Sequence, residues 1–245
     1  MHNLKGWWKG ETSSEGSPNN ASFPITMSCL CELKIDDCPQ LASIPWHAPL
    51  KLLEIRAVSL QLLNVIIEKT ANTSSTRSKL SHVYLSKIDD LEFLPKELFY
   101  HFTNLLFLVI EDCKNLQLSS ALVQHPTNDV LWKEFQSLRV LFLRAIPKLE
   151  YLPNGMQHVI TLQHIGINSC PNFVTLPKWI HNLTSLSSLS IFNCPKLTSL
   201  PEGIHHLRSL ESLTIWNSPK LIERYKEGKG EEWPKISHIP HVSIS

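Results

Sequence analysis

Glycine is scarce in this chain, 8 residues against 16 prolines. That leaves little material for loops that wrap phosphate in backbone N–H groups, and no Gly-x-x-x-x-Gly-Lys-Ser/Thr run occurs. A surplus of one charge is also lacking: 23 Lys+Arg stand beside 22 Asp+Glu. Such a balance argues against a nucleic-acid partner, which needs a basic face to displace phosphate counterions. No stretch approaches the ~18 apolar residues of a membrane span. The first residues, Met1-His2-Asn3-Leu4-Lys5-Gly6-Trp7-Trp8, hold neither an apolar run nor a small-residue cleavage site, so no secretory signal is read.

Catalytic patterns are missing as well. The 12 histidines are scattered, with His181, His205 and His206 on return segments and His238 and His241 near the end. None forms a His-x-x-x-His pair with a nearby glutamate, no Gly-x-Ser-x-Gly elbow occurs, and no cysteine has the helix-N-terminal setting that favours a thiolate. The expectation is a non-enzyme with no cofactor, no metal and no catalytic residue. Sequons at Asn20, Asn72 and Asn182 carry weight only in a secreted protein.

What the chain does contain is a period. Leu138, Leu162, Leu186 and Leu210 are each 24 residues apart, and one phrase follows each. Its clearest copy is Leu186-Ser-Ser-Leu189-Ser-Ile191-Phe-Asn-Cys194-Pro195-Lys-Leu197-Thr-Ser-Leu200-Pro201. Looser copies start at Leu30, Leu50, Leu80 and Leu105. In Leu-x-x-Leu-x-Ile the last two apolar residues alternate with period two, the mark of a short strand with one face inward. The chain then bends at Cys-Pro, and Leu-x-x-Leu-Pro returns on the far side. A single rung cannot bury its own leucines, whereas stacked rungs at the ~4.8 Å strand spacing build a continuous core. The fold expected is an α/β solenoid, a leucine-rich-repeat horseshoe. Its parallel β-sheet lines the concave face, and irregular or short helical return segments form the convex face. Residues 1–245 read as one domain of about eight rungs, the first truncated, with 222–245 as a C-terminal capping tail.

Four of the six cysteines, Cys38, Cys113, Cys170 and Cys194, share one place in the rung, where Val58, Ile88 and Ile146 stand in other copies. A metal ligand would not tolerate that exchange, so a small buried side chain facing loop backbone is expected. With no disulfide framework, a reduced, cytoplasmic protein fits best.

Departures from the period mark loops. The step from Leu105 to Leu138 is 33 residues, with the excess around Leu118–Val130. The stretch Glu68–Lys79 is polar and reads as a mobile loop, and Lys9–Asn20 as a linker. Met1–Trp7 overlays on the second half of a rung, Ile146–Leu152, with no cap before it. Such an uncapped edge predicts self-association of the isolated chain, read by light scattering, and looks like the C-terminal piece of a longer protein.

The phrase Cys194-Pro195-Lys-Leu197-Thr-Ser-Leu200-Pro201-Glu-Gly-Ile204-His-His-Leu207, repeated in form from Leu80 onward, resembles the repeat region of plant intracellular coiled-coil nucleotide-binding disease-resistance proteins. The ending Ser218–Ile244, with Trp233-Pro234 at its centre, is similar to that family's C-terminal tail. The resemblance implies a module that senses a pathogen effector or a modified host target and restrains a nucleotide-binding switch domain. Nucleotide binding is not carried over, because the phosphate loop is absent. Two other classes compete. A substrate adaptor of a ubiquitin ligase would be announced by an F-box, which is missing. An extracellular receptor ectodomain would favour Gly-x-Ile-Pro rungs and paired cap cysteines, also missing.

A protein partner would meet the side chains between the buried strand residues. The candidate binding residues are Phe107, Val109, Phe142, Arg144, Asn168, Phe192 and Trp216. Phe192 and Trp216 hold equivalent places on successive rungs and should lie side by side, with Asn168 and Arg144 beyond. Exposed aromatics beside an arginine have the make-up of an interaction hot spot. The competing reading is that these rings pack on each other or cover the last rung.

Overall fold

The computed structural model describes residues 25–26, 30–44, 46–47, 50–71, 79–118 and 130–245. The truncated first rung, the Lys9–Asn20 linker, most of the 118–130 insertion and the sequons at Asn20 and Asn72 lie outside them. Nine strands form one parallel sheet in chain order. They are β2 (Glu32–Asp36), β4 (Leu52–Arg56), β5 (His82–Ser86), β6 (Phe107–Glu111), β7 (Val140–Arg144), β8 (His164–Asn168), β9 (Ser188–Phe192), β10 (Ser212–Trp216) and β11 (His241–Ile244). A separate two-stranded pairing joins β1 (Ile25–Thr26) to β3 (Trp46–His47).

Most strands alternate as the period-two pattern requires; in β7 and β8 the outward Val140 and Gly166 are buried as well. In β9, Leu189 and Ile191 are fully buried while Ser188, Ser190 and Phe192 keep solvent contact. Register is unshifted from rung to rung, so equivalent residues stack: Leu189 on Leu213, Ile191 on Ile215, Phe192 on Trp216. Burial of each such Leu or Ile contributes roughly 1.5–3 kcal/mol of apolar transfer energy. Because every rung leans on its neighbours, that energy is realised only in the stack.

The residue after each repeat strand is left-handed. Asp37, Ala57, Lys87, Asp112, Ala145, Ser169, Asn193 and Asn217 have φ between 47° and 55°. This conformation turns the chain inward while keeping its N–H in the ladder: Ala145 donates to Asn168 at 2.8 Å, and Asn193 donates to Trp216 at 3.0 Å. Asn and Asp tolerate the left-handed region; Ala, Lys and Ser carry a cost of roughly 1–2 kcal/mol there.

The cysteine follows the left-handed residue. Cys113, Cys170 and Cys194 are fully buried, and Cys38 nearly so. The Cys170 thiol donates to the Asn168 carbonyl at 3.4 Å, and that of Cys194 to Phe192 at 3.3 Å. In the last repeat Ser218 takes over this place. Its hydroxyl donates to the Trp216 carbonyl and accepts the Cys194 N–H at 3.1 Å.

The return path then follows the Leu-Pro signal. Pro153, Pro177 and Pro201 fix φ near −60°, and their carbonyls accept from Met156, Ile180 and Ile204 at 3.0–3.1 Å. These short 3-10 turns (Asn154–His158, Lys178–Asn182, Glu202–His206) drop one buried apolar side chain each into the core. In the less regular rungs helices do this work: α1 (Leu60–Ala71) and α2 (Lys96–His101). Helix α1 corrects the expectation of a loop from Glu68, since it runs to Ala71; residues 72–78 lie outside the described set. Its apolar residues Leu62, Leu63, Ile66 and Ile67 recur at helical spacing and are all buried, and Asp90 of the next rung accepts the Leu60 N–H at 2.9 Å. Around the long rung the core is filled by Phe99, Trp132 and Phe135, with Phe99 and Phe135 centroids 4.7 Å apart.

The final segment folds back on the last rung. Helix α3 (Pro219–Tyr225) buries Leu221 and Tyr225, and Tyr225 Oη accepts the Leu200 N–H at 3.1 Å. Lys235 Nζ lies 2.6 Å from Glu202 and also contacts Glu232, which pairs with Arg224 at 2.9 Å. Hydrogen bonds from Lys235 hold the Glu232 carboxyl below its usual range. Ile236 and Ile239 are buried, and β11 then lies along β10.

Candidate concave recognition face

Strand alternation gives each repeat strand three outward positions, and unshifted register turns them into three rows across the sheet. The row at the strand ends runs Glu111, Arg144, Asn168, Phe192, Trp216. The middle row runs Val109, Phe142, Gly166, Ser190, Thr214. Of the candidate residues, Arg144, Asn168, Phe192 and Trp216 therefore form one continuous line, and Val109 abuts Phe142. Phe107 lies in the row at the strand starts.

Their surroundings separate them. Phe107 is half-buried and stacks face to face on His82, centroids 4.3 Å apart and 10° between planes. Phe142 is 43% exposed, but its ring lies over the next rung: a Cβ on Gly166 would meet its edge at 2.2 Å. Arg144 pairs with Glu111 at 3.3 Å. Asn168 accepts from the Ser169 hydroxyl at 2.8 Å and from Asn193 at 3.3 Å, and Asn217 extends the line by donating to Asn193 at 2.6 Å. Trp216 is 48% exposed and Phe192 half-buried beside it; no ring contact involves either among the described residues.

Two contacts on this face escaped sequence reasoning, that of Gly166 with Phe142 and that of Asn168 with Asn193. Gly166 is the only glycine within a described strand, and a strand glycine marks close approach of another group. The signal was available; its partner, one rung back, was not. The Asn168–Asn193–Asn217 line was readable only once the left-handed position was known.

Charges on the first rungs pair with each other. Lys34 meets Glu54 at 3.0 Å, which raises the lysine's pKa through that hydrogen bond, and Arg56 meets Asp36 at 3.3 Å. Burial pushes the Cys113, Cys170 and Cys194 thiols up to about 11, 12 and 11, far from thiolate reactivity at neutral pH. Among the described residues no three His, Cys, Asp or Glu side chains are placed to hold a metal ion, and no helix is long and apolar enough to cross a membrane.

No family model matches the chain, and no curated protein matches it in sequence. Solved structures do. The leucine-rich repeat domain of the type III effector XopL is 21% identical, with 78% of this chain and 70% of that one covered and a TM-score of 0.54. The plant peptide hormone receptor RGFR1, solved in complex with RGF2, is 17% identical over 80% of this chain and 36% of that one, TM-score 0.50. A leucine-rich repeat protein of Leptospira interrogans is 18% identical over 80% of this chain and 56% of that one, TM-score 0.47. At these identities the likeness is one of fold. The chain has the fold of a leucine-rich-repeat solenoid.

Proposed function

We propose that this chain is the recognition module of a plant disease-resistance receptor, docking through its concave face onto a pathogen effector or the effector's host target. In the same receptor it restrains the nucleotide-binding switch domain, in the cytoplasm and without catalytic activity of its own. The resemblance of the repeat phrase and of the Ser218–Ile244 ending supports the family. The whole of 1–245 acts as one repeat domain, and 222–245 acts as its C-terminal cap. The buried Tyr225 and the Lys235–Glu202 contact support the capping role.

One observation carries the binding face: Trp216, half exposed, in line with Phe192, Asn168 and Arg144, and without a ring partner among the described residues. Large aromatics left in water beside polar groups are where interaction energy concentrates, typically 2 kcal/mol or more per residue. The test is co-precipitation of this chain with a separately expressed nucleotide-binding domain from the same source, wild type against Trp216→Ala. Capture by wild type, weakened by the substitution, is expected. Absence of capture would turn the reading toward a ubiquitin-ligase adaptor.

A further inference from the structure

We propose that the last four strands, β8 to β11, bind an extended, uncharged protein segment laid across the sheet, with an aromatic or long aliphatic side chain seated against Trp216. The proposal deepens the recognition reading and rests on it.

Charge is the first argument. Lys34–Glu54, Arg56–Asp36 and Arg144–Glu111 hold six of the seven concave charges of β2 to β7 in mutual pairs, and the seventh, Glu32, lies in the field of Lys34. From β8 onward no outward strand position carries Lys, Arg, Asp or Glu. A charged segment would give up ionic hydration there and find no counter-charge, while a neutral one gives up only the weaker hydration of its polar groups.

Shape is the second. The Phe142 ring covers Gly166, and beyond it the middle row drops to Ser190, Thr214 and Ser243, small side chains that leave a low floor. Phe142 bounds one end and Trp216 stands along one side. The three strand intervals from β8 to β11, at ~4.8 Å each, span about 14 Å, the length of about four extended residues at ~3.3 Å each.

Unmet valence is the third. The hydroxyls of Ser190, Thr214 and Ser243 make no hydrogen bond among the described residues. A hydroxyl both donates and accepts, so this row suits a peptide backbone offering N–H and C=O alternately. Phe107 is already engaged by His82, and the Phe142 ring lies over Gly166. Trp216 has no ring partner among the described residues.

A phage-displayed library of random linear heptapeptides, panned against the whole chain, tests this, with selected peptides then titrated by tryptophan fluorescence. Uncharged sequences with a central aromatic or leucine are expected, and Trp216→Ala or Ser190→Asp should weaken them at least tenfold. Thr214→Lys is the second floor variant, should Ser190→Asp fail to fold by circular dichroism. Enrichment of acidic or basic sequences, indifference to the floor variants, or no enrichment over bare support would each overturn the site. Capture of the nucleotide-binding domain that needs Trp216 but survives Ser190→Asp and Thr214→Lys would remove this site while the recognition role stands.

Discussion

Tyr225→Phe isolates how the final segment is fastened to the solenoid. The ring is fully buried, and its hydroxyl accepts the Leu200 N–H at 3.1 Å and lies 3.5 Å from the Leu200 carbonyl. Phenylalanine keeps the packing and strands both backbone groups at a site with only 3% exposure at Leu200. A buried polar group without a partner costs about 1–3 kcal/mol. With a urea slope of about 2 kcal/mol per molar, a loss of about 2 kcal/mol lowers the transition midpoint by about 1 M. Because rungs contact only neighbours, the loss should be local. Hydrogen exchange should accelerate about tenfold or more in Ser212–Trp216 and His241–Ile244 and stay unchanged in Val140–Arg144. An unaltered midpoint, or acceleration spread evenly along the sheet, would show that the hydroxyl does not anchor the tail.

Two further predictions follow from the rung itself. The Cys170 thiol titrates near 12 when folded, against ~8.5 in an unfolded chain, so its contribution is fully present below that lower value and is lost as pH rises toward 12. Stability should therefore fall steeply above pH ~9, and Cys170→Ser should lessen the slope by about 1.4 kcal/mol per pH unit; equal slopes in urea titrations would refute the burial argument. Ala145 holds φ at 50°, so Ala145→Gly relieves roughly 1–2 kcal/mol of strain and returns part as unfolded-chain entropy. A net gain of about 0.5–1 kcal/mol is expected, and a loss by chemical denaturation would mean the left-handed turn is not strained.

The amino-acid sequence by itself determined the solenoid. Its 24-residue period, the Leu-x-x-Leu-x-Ile strand phrase and the Cys-Pro and Leu-Pro bends are local patterns, each written several times over, so no distant contact was needed to interpret them. The same period fixed which strand residues would be neighbours, Phe192 and Trp216 among them. Helix α1 to Ala71 was hidden because polar Glu68 and Lys69 continue its outer face, and only packing of Leu62 to Ile67 against the neighbouring rungs shows the helix. Which aromatics remain available was decided by tertiary structure alone. His82 and Phe107 are 25 residues apart, as are Tyr225 and Leu200, and Phe142 and Gly166 are 24 apart. Whether two such groups touch depends on rotamers set by the stack, which periodicity does not encode.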